Sequence, residues 1–354
     1  MEFRVPQKEL EGFLESIKTQ PLATDQSGSS SGDSVDIGMD CCVIPLSDSG
    51  FSLVQTIDYF YPSVEDPYAN GQIACANVLS DLYSMGITKC DNMLMVFAVA
   101  KEMTPEQREK IVPQLMRGIN DHALSAGTRI RGGQTILNPW PIIGGVATAC
   151  VRREDIIMPD NGRAGDILVL TKPLGTQVAV NANQWLDRGV EGAKLLEGIT
   201  AKRVKKAYFR ALDSMAHLNK TASSLMLKYE CHGCTDVTGF GILGHANNLA
   251  RVQKKTVELR IHTLPVIRDV PAIVERSGRF RTLLQGTSAE TSGGLLMMLN
   301  PAKAVQLMEE LKQLDGRESW IVGEVVAAGE RKAVIVEGVK VQEVPAVDEE
   351  QYLW

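Results

Sequence analysis

The sequence predicts an α+β protein of two lobes, and three observations carry that prediction. At 354 residues the chain is long enough for two domains of about 150 residues each. Strand-like and helical patterns alternate, but several predicted strands follow one another directly, which favours α+β layers over a doubly wound parallel sheet. A polar break over residues 152–165 separates two apolar halves and marks the expected domain boundary.

The first lobe is expected over residues 36–155. Apolar runs predict strands over 42–46, 51–57, 93–100, 130–133 and 142–151, and an amphipathic helix rich in small residues over 71–85. Thr104 is expected to cap a second helix, because Pro105 suits its first position and Glu106 suits the positive end of its dipole. Ahead of this lobe, residues 1–35 are interpreted as a helix over 7–19 followed by a flexible Ser/Gly linker.

The second lobe is expected over residues 156–345, with a tail over 346–354. Short apolar runs predict strands over 166–171, 257–261 and 320–326. Helical spacing dominates residues 176–229 and recurs over 243–252 and 301–314. This half therefore carries more helix than the first.

Composition restricts the classes of function. A net charge of −6 does not favour direct binding of nucleic acid, and an aromatic content of 5% argues against a surface that stacks bases. We find no apolar run of about 18 residues, so no membrane helix is expected. Charged residues follow Met1 at once, and the seven cysteines predict free thiols in a cytoplasmic setting.

Four aspartates stand at the ends of predicted elements or among apolar residues: Asp40, Asp58, Asp81 and Asp236. A carboxylate in apolar surroundings is unfavourable unless it is paired or binds a metal. Each of the four alone also fits a cap or a turn, but together they favour Mg²⁺ that bridges phosphates. Asn77, one helical turn before Asp81, is expected to share its face.

Two glycine-rich segments accompany these acids. Gly132-Gly133-Gln134-Thr135 is interpreted as a turn in which a ligand approaches the backbone. Residues 290–294 form a second polar turn that enters a strand, and no Walker A motif is present. Any ATP site is therefore built differently.

The glycine run after Asp236 leads into a predicted helix whose N-terminus suits phosphate. Its glycines at 239, 241 and 244 also fit a dinucleotide fingerprint, which leaves an NAD-dependent oxidoreductase as one alternative. That fingerprint requires a buried strand before the glycines, and residues 235–238 are not expected to form one.

Seven motifs occur in order along the chain, and together they resemble the selenophosphate synthetase (selenide, water dikinase) family of eukaryotic type. The resemblance extends from about residue 5 to residue 340. The motifs are DCCVIPL (40–46), QTIDYFYP (55–62), ACANVLSD (74–81), GGQT with NPW (132–135 and 138–140), LTKPLGT (170–176), TDVTGFG (235–241) and ETSGGLL (290–296).

The resemblance implies an α+β subunit of the aminoimidazole ribonucleotide synthetase-like type, whose first lobe carries a mixed sheet that pairs across a homodimer. It implies that ATP, selenide and water give selenophosphate, AMP and phosphate, with Mg²⁺ and a monovalent cation such as K⁺ as cofactors. The implied metal ligands are Asp40, Asp81 and Asp236. The implied ATP-binding residues are Asp58, Thr56, Asn77, Gly132, Gly133, Gln134 and Thr135.

The sequence departs from the family at its start. Upstream of the predicted helix start at Val5, the family carries an N-terminal arm with a catalytic cysteine or selenocysteine and a lysine. Here only Met1, Glu2, Phe3 and Arg4 precede Val5, and none of them is a cysteine or a lysine. No catalytic residue is therefore assigned, and weak or absent synthesis is expected. A nucleotide-binding regulatory or interaction protein without catalysis is the alternative function.

Overall fold

The computed structural model describes Glu9 and residues 40–345, and these residues build two β-sheets with helices packed against them. The first sheet is built from residues 42–152 and the second from residues 167–344. The remainder of the predicted helix over 7–19, the linker and the tail over 346–354 lie outside the described residues. Val5 and the residues upstream of it, where the family resemblance expected catalytic groups, also lie outside them, so the expectation of weak synthesis stays a prediction.

The first sheet has five strands in the order β1-β2-β5-β3-β4. Neighbouring strands are antiparallel except β3 and β4, which are parallel, so the sheet is mixed, as expected. The strands are β1 (Cys42–Pro45), β2 (Phe51–Phe60), β3 (Asn92–Ala100), β4 (Ile130–Asn138) and β5 (Ile142–Arg152).

The prediction of a turn at Gly132-Gly133-Gln134-Thr135 is wrong, because these residues lie inside β4, the exposed edge strand. A register shift near Met93 gives β4 one residue more than its partner, as in a bulge. Gly133 has φ 146°, and a Cβ there would lie 2.0 Å from the carbonyl oxygen of Met95. The pairing of β3 with β4 therefore requires glycine at this position.

Two helices cover one face of this sheet: α1 (Pro67–Ser84) and α2 (Pro105–Ser125). The predicted cap of α2 is confirmed, since the Thr104 hydroxyl accepts from the amide of Gln107 while the Gln107 side chain accepts from the amide of Thr104. This reciprocal pair is a capping box.

The two helices approach closely at their glycines. A Cβ on Gly118 of α2 would lie 2.0 Å from the carbonyl oxygen of Tyr68, and one on Gly71 of α1 would lie 2.3 Å from that of Leu115. The small residues predicted in α1 therefore permit its close packing against α2.

The second sheet has six strands in the order β11-β8-β10-β6-β9-β7. Of these, β7 and β11 were not predicted, and β8 is longer than predicted. The strands are β6 (Ile167–Leu170), β7 (Gly233–Asp236), β8 (Val257–Ile267), β9 (Leu295–Leu299), β10 (Trp320–Ala327) and β11 (Lys332–Val344).

Helices cover both faces of the second sheet, which explains why its strands β6 and β9 are apolar throughout instead of alternating. In β9, Leu296 and Met298 face one hydrophobic cluster while Leu295, Met297 and Leu299 face another. No helix in the described residues is both long and apolar enough to cross a membrane. The helices are α3 (Thr176–Trp185), α4 (Gly189–Leu195), α5 (Ala201–Ala216), α6 (Lys220–Met226), α7 (Gly241–Arg251), α8 (Val270–Ser277) and α9 (Pro301–Asp315).

The expectation that no buried strand precedes the glycine run is wrong, because β7 is buried along its length. Its sheet position nevertheless differs from that of a dinucleotide-binding unit. Such a unit joins parallel strands that lie close together, whereas β7 is an edge strand, antiparallel to its neighbour β9, and three strands separate it from β8. The dinucleotide alternative therefore fails on topology.

Helix α1 lies between the two lobes. It packs against β2 and β5 on one side and against β7, α5 and α6 on the other, and nearly every residue from Ala69 to Ser84 is buried. A helix enclosed in this way is expected to be apolar all round. The polar side chains that it does carry, among them Asn77 and Asp81, therefore require partners.

Candidate functional site

Three of the predicted aspartates come together at the seam between the lobes. Asp40 lies just before β1, Asp81 lies in the last turn of α1, and Asp236 ends β7. One carboxylate oxygen from each lies within 4.8 Å of the other two. Asp81 and Asp236 are buried, whereas Asp40 is half-buried.

The fold holds these carboxylates where their negative charges are unfavourable. Burial raises the pKa of Asp40 to about 7, and repulsion from Asp236 acts in the same direction. Burial, followed by repulsion from the neighbouring aspartates, raises the pKa of Asp81 well above its usual range. A divalent cation removes this repulsion, and an all-oxygen donor set suits Mg²⁺. The residues present therefore fit the implied metal.

Two threonine hydroxyls orient the carboxylates. Thr56 Oγ1 donates to Asp81 Oδ2 at 2.5 Å, and Thr235 Oγ1 donates to Asp40 Oδ1 at 3.1 Å. Alternation along β2 places Thr56 and Asp58 on the same face of the strand. Each hydroxyl favours the charged form of its carboxylate, which partly offsets the effect of burial.

Asp58 belongs to the same region through Asn77. The Asn77 amide nitrogen donates to Asp58 Oδ2 at 2.6 Å, while its Oδ1 accepts from the backbone amide of Ser292 at 2.9 Å. Because the amide nitrogen can only donate and Oδ1 can only accept, these two contacts determine the orientation of the side chain. Asn77 therefore connects the first lobe to the loop of the second lobe that precedes β9.

The glycine segment of β4 lies farther away. Gly133 pairs with Met95, Met95 with Gly145, and Gly145 with Asp58. This row crosses three strand spacings, or about 14 Å. Within one chain, Gly132-Gly133-Gln134-Thr135 and the carboxylates therefore cannot contact the same ion.

Sequence reasoning missed the role of Glu290. This buried carboxylate accepts from the backbone amides of Gly175 at 2.7 Å and Thr176 at 2.9 Å, where α3 begins. Burial raises its pKa to about 7, although these hydrogen bonds act in the opposite direction. Its partners lie 114–115 residues away, and no local pattern indicated the contact.

The histidine that follows the glycine run is also engaged. His245 Nε2 accepts from the backbone amide of Phe240 at 3.3 Å and lies 3.2 Å from Thr238 Oγ1. An accepting Nε2 belongs to the neutral imidazole with its proton on Nδ1. His245 therefore stabilises the loop that leads into α7.

The cysteines near the site are protonated thiols. Burial raises the pKa of Cys231 to about 12, and burial also raises the pKa of Cys41 and Cys234. A thiol, unlike a thiolate, is a poor nucleophile and metal ligand. From the apolar run that they begin, Cys41 and Cys42 are both predicted to lie in the core. Cys41 is buried as predicted, but the prediction for Cys42 is wrong, because its side chain is exposed.

Two family models match the chain. The AIR synthase related protein N-terminal domain matches residues 38–151 and the C-terminal domain of the same family matches residues 163–336, so the fold and the site define a two-domain AIR synthase related protein. Selenide, water dikinase 2 of Mus musculus is 52% identical over 336 residues, which cover 94% of this chain and 74% of the relative. The chain belongs to the selenide, water dikinase family.

Other relatives and solved structures agree. Selenide, water dikinase of Dictyostelium discoideum is 46% identical over 290 residues, covering 82% of this chain and 80% of the relative. Thiamine monophosphate kinase from Aquifex aeolicus has a TM-score of 0.63 at 17% identity, covering 96% of this chain and 100% of that one. The hydrogenase maturation protein HypE in complex with ATP has a TM-score of 0.62 at 15% identity, covering 87% and 88%. At these identities the structures show the shared fold.

Proposed function

We propose that this protein makes selenophosphate, AMP and phosphate from ATP, selenide and water. The carrying observation is the cluster of Asp40, Asp81 and Asp236 in a chain that is 52% identical to a named selenide, water dikinase. Phosphoryl transfer depends on positioning and on charge neutralisation more than on covalent chemistry. Three carboxylates held together by the fold meet that need by holding a divalent cation, which would supply the positive charge.

In this proposal Asp40, Asp81 and Asp236 hold Mg²⁺, which when bound neutralises phosphate charge. Thr56 and Thr235 fix two of these carboxylates through their hydroxyls.

The proposed nucleotide-binding residues extend away from the cluster. Asn77 holds Asp58 beside the cluster, where both side chains can bind the nucleotide. Gly132-Gly133-Gln134-Thr135 would contact a different part of ATP, since the segment lies about 14 Å from Asp58.

Two further parts of the proposal concern ions and location. A requirement for K⁺ is supported by the seven ordered motifs, and a comparison of activity in KCl and NaCl tests it.

A cytoplasmic location is supported by the seven cysteines, all of which are free thiols, as is usual in a reducing compartment.

We also propose a homodimer formed through the outer face of the first sheet. On this face Ile57 and Tyr59 are 58% and 57% exposed. Ile57 pairs with Val146 of β5, and Val146 pairs with Leu94 of β3, so the apolar row extends across three strands. A two-fold contact between identical apolar faces is the commonest way to cover such a surface. In this proposal β3 contributes through its first half, around Leu94, because residues 97–99 are buried within the chain.

The test of the reaction is phosphorus NMR of the protein with ATP, Mg²⁺ and selenide, with Mg·ATP binding measured by calorimetry. Selenophosphate and AMP should accumulate together, at the weak rate that the sequence analysis expects. Asp236→Asn should slow both by at least about 100-fold, as expected for loss of a group that stabilises transition-state charge. Asp187→Asn, a change at an exposed site outside the cluster, is the matched control. Tight Mg·ATP binding without selenophosphate, if it persists after a segment with a cysteine and a lysine is added upstream of Val5, would favour the regulatory alternative instead.

A further inference from the structure

Lys172 is a buried cation at the boundary of the proposed site. It follows β6 and is 3% exposed. Its ammonium donates to the backbone carbonyl of Ser292 at 2.8 Å and to that of His217, just after α5, at 2.6 Å. A lysine is rarely buried to this degree without a specific role for its charge.

The Ser292 backbone needs such support. Its φ is 47°, in the left-handed region, which is unfavourable for a residue other than glycine and persists only where surrounding contacts enforce it. Lys172 holds the carbonyl of Ser292, and Asn77 Oδ1 holds its amide. The loop also lies against the backbone of Lys172, because a Cβ on Gly294 would lie 2.4 Å from the Lys172 nitrogen.

We propose that Lys172 is a positioning residue, which holds the left-handed turn at Ser292 so that the Ser292 amide fixes Asn77 and, through it, Asp58. This inference rests on the proposed function, because it assigns Asp58 and Asn77 to nucleotide binding. According to this proposal, residues of the second lobe hold in place the nucleotide-binding side chains that belong to the first lobe. Such outer partners typically change ligand affinity or activity by about 10-fold to 100-fold when they are removed.

Four charged residues from different parts of the second lobe influence the ammonium of Lys172. Asp213 of α5, Asp315 at the end of α9 and Asp236 at the end of β7 favour the ammonium, whereas Arg317 opposes it. Burial is the largest influence and lowers the pKa of Lys172 to about 7. Lys172 therefore interacts electrostatically with Asp236, one of the three carboxylates of the cluster.

A neighbouring contact shows which part of the loop Lys172 controls. Asn219 donates to the carbonyl of Gly293 at 2.8 Å and to Ser80 Oγ at 3.0 Å, so it anchors the loop one residue further along. Among the hydrogen bonds of the described residues, the Ser292 amide alone donates to Asn77. Loss of Lys172 should therefore release the Ser292 amide while Asn219 keeps the rest of the loop in place.

The experiment compares Lys172→Met with Lys220→Met. Lys220 also donates across the lobes, to the carbonyl of Ala126 at 2.7 Å, but it has no contact with the Ser292 loop among the described hydrogen bonds. Calorimetry with Mg²⁺ and a non-hydrolysable ATP analogue should show about 10-fold to 100-fold weaker binding for Lys172→Met and less than about 2-fold for Lys220→Met. Lys172→Gln provides a second variant where the methionine impairs folding.

Two further measurements separate positioning from a general loss of structure. In a double-mutant cycle, Asn77→Ala should weaken analogue binding in the parent but add little in Lys172→Met, because both changes break the same chain of contacts. Amide hydrogen exchange without ligand should show that Ser292 is protected in the parent and in Lys220→Met but not in Lys172→Met.

The outcomes are distinct. Parent-like binding by Lys172→Met, or losses that multiply in the cycle, would overturn the role of Lys172 while leaving the proposed function standing. If the parent binds no analogue with Mg²⁺, the proposed function fails, and the inference fails with it. In that case exchange at Ser292 still reports whether Lys172 holds the turn.

Discussion

Replacing Asp40 by asparagine should stabilise the metal-free protein at pH 8 while weakening its hold on Mg²⁺. The pKa of Asp40 is raised from 3.8 to about 7 in the folded chain. A group with a raised folded pKa contributes stability that is fully present below its unfolded pKa and is lost as pH rises through the folded pKa. Asparagine resembles the neutral carboxyl, so the variant avoids that loss.

The size of the effect follows from the same shift. A rise from 3.8 to about 7, at 1.36 kcal/mol for each pKa unit, corresponds to about 4 kcal/mol between pH 3 and pH 8. Asp40→Asn should recover about 2–4 kcal/mol at pH 8, since its amide must also find an acceptor beside Asp236. Conversely, Mg²⁺ at 100 times its Kd should stabilise the parent by about 2.7 kcal/mol and the variant by much less.

The assay is urea unfolding in EDTA at pH 5.5 and pH 8, followed by fluorescence of the buried Trp185 and Trp320, and then repeated with Mg²⁺. Asp187→Asn, at an exposed carboxylate, should change neither measurement. If Asp40→Asn does not raise the metal-free free energy of unfolding more at pH 8 than at pH 5.5, the raised pKa assigned to Asp40 is wrong.

Two other changes test the packing of the first lobe. Ile57→Lys, on the exposed face of β2, should give a monomer by sedimentation at micromolar concentration, because it places a charge in the proposed two-fold contact; a variant that remains a dimer, or a parent that is itself a monomer, would contradict that interface. Gly118→Ala should destabilise the fold by about 1–3 kcal/mol or more, since the new methyl would meet Tyr68 and the helix-propensity gain of about 1 kcal/mol is too small to compensate. Thermal unfolding measures this effect, with Gly329→Ala, where a Cβ meets nothing within 4 Å, as the control; equal stability of the two variants would show that α1 and α2 can separate without loss.

Local patterns predicted the local structure well. The run from Phe51 continues as a strand because its side chains alternate between the core and the outer face, and Thr104 caps α2 through contacts only three residues away. The strand at Gly233–Asp236 was missed because its polar residues are typical of a loop. Those residues are stable in a buried strand because the Thr235 hydroxyl donates a hydrogen bond to Asp40, which lies across the seam and 195 residues away in sequence.

In the candidate site, too, one part was predicted from the sequence and another part was not. The convergence of Asp40, Asp81 and Asp236 was expected from their placement and from the family resemblance, and the structure brings them together. The contacts that support the site were not expected. Ser292 reaches Asn77 across 215 residues and Lys172 reaches Ser292 across 120, and separations of that size leave no periodic signal in a single sequence.

The position of α1 between the lobes also determines when its two sides can be covered during synthesis of the chain. When a ribosome has translated as far as residue 155, every strand of the first sheet exists. The elements that cover the other side of α1, namely β7, α5 and α6, do not yet exist. Contacts between residues so far apart in sequence are slow to form, because closing a long loop is entropically unfavourable. The newly made first half must therefore wait with an apolar helix face uncovered, which is the condition that favours aggregation and recruits chaperones. The same delay keeps Asp236 away from Asp40 and Asp81 until the surrounding scaffold is able to hold all three charges together.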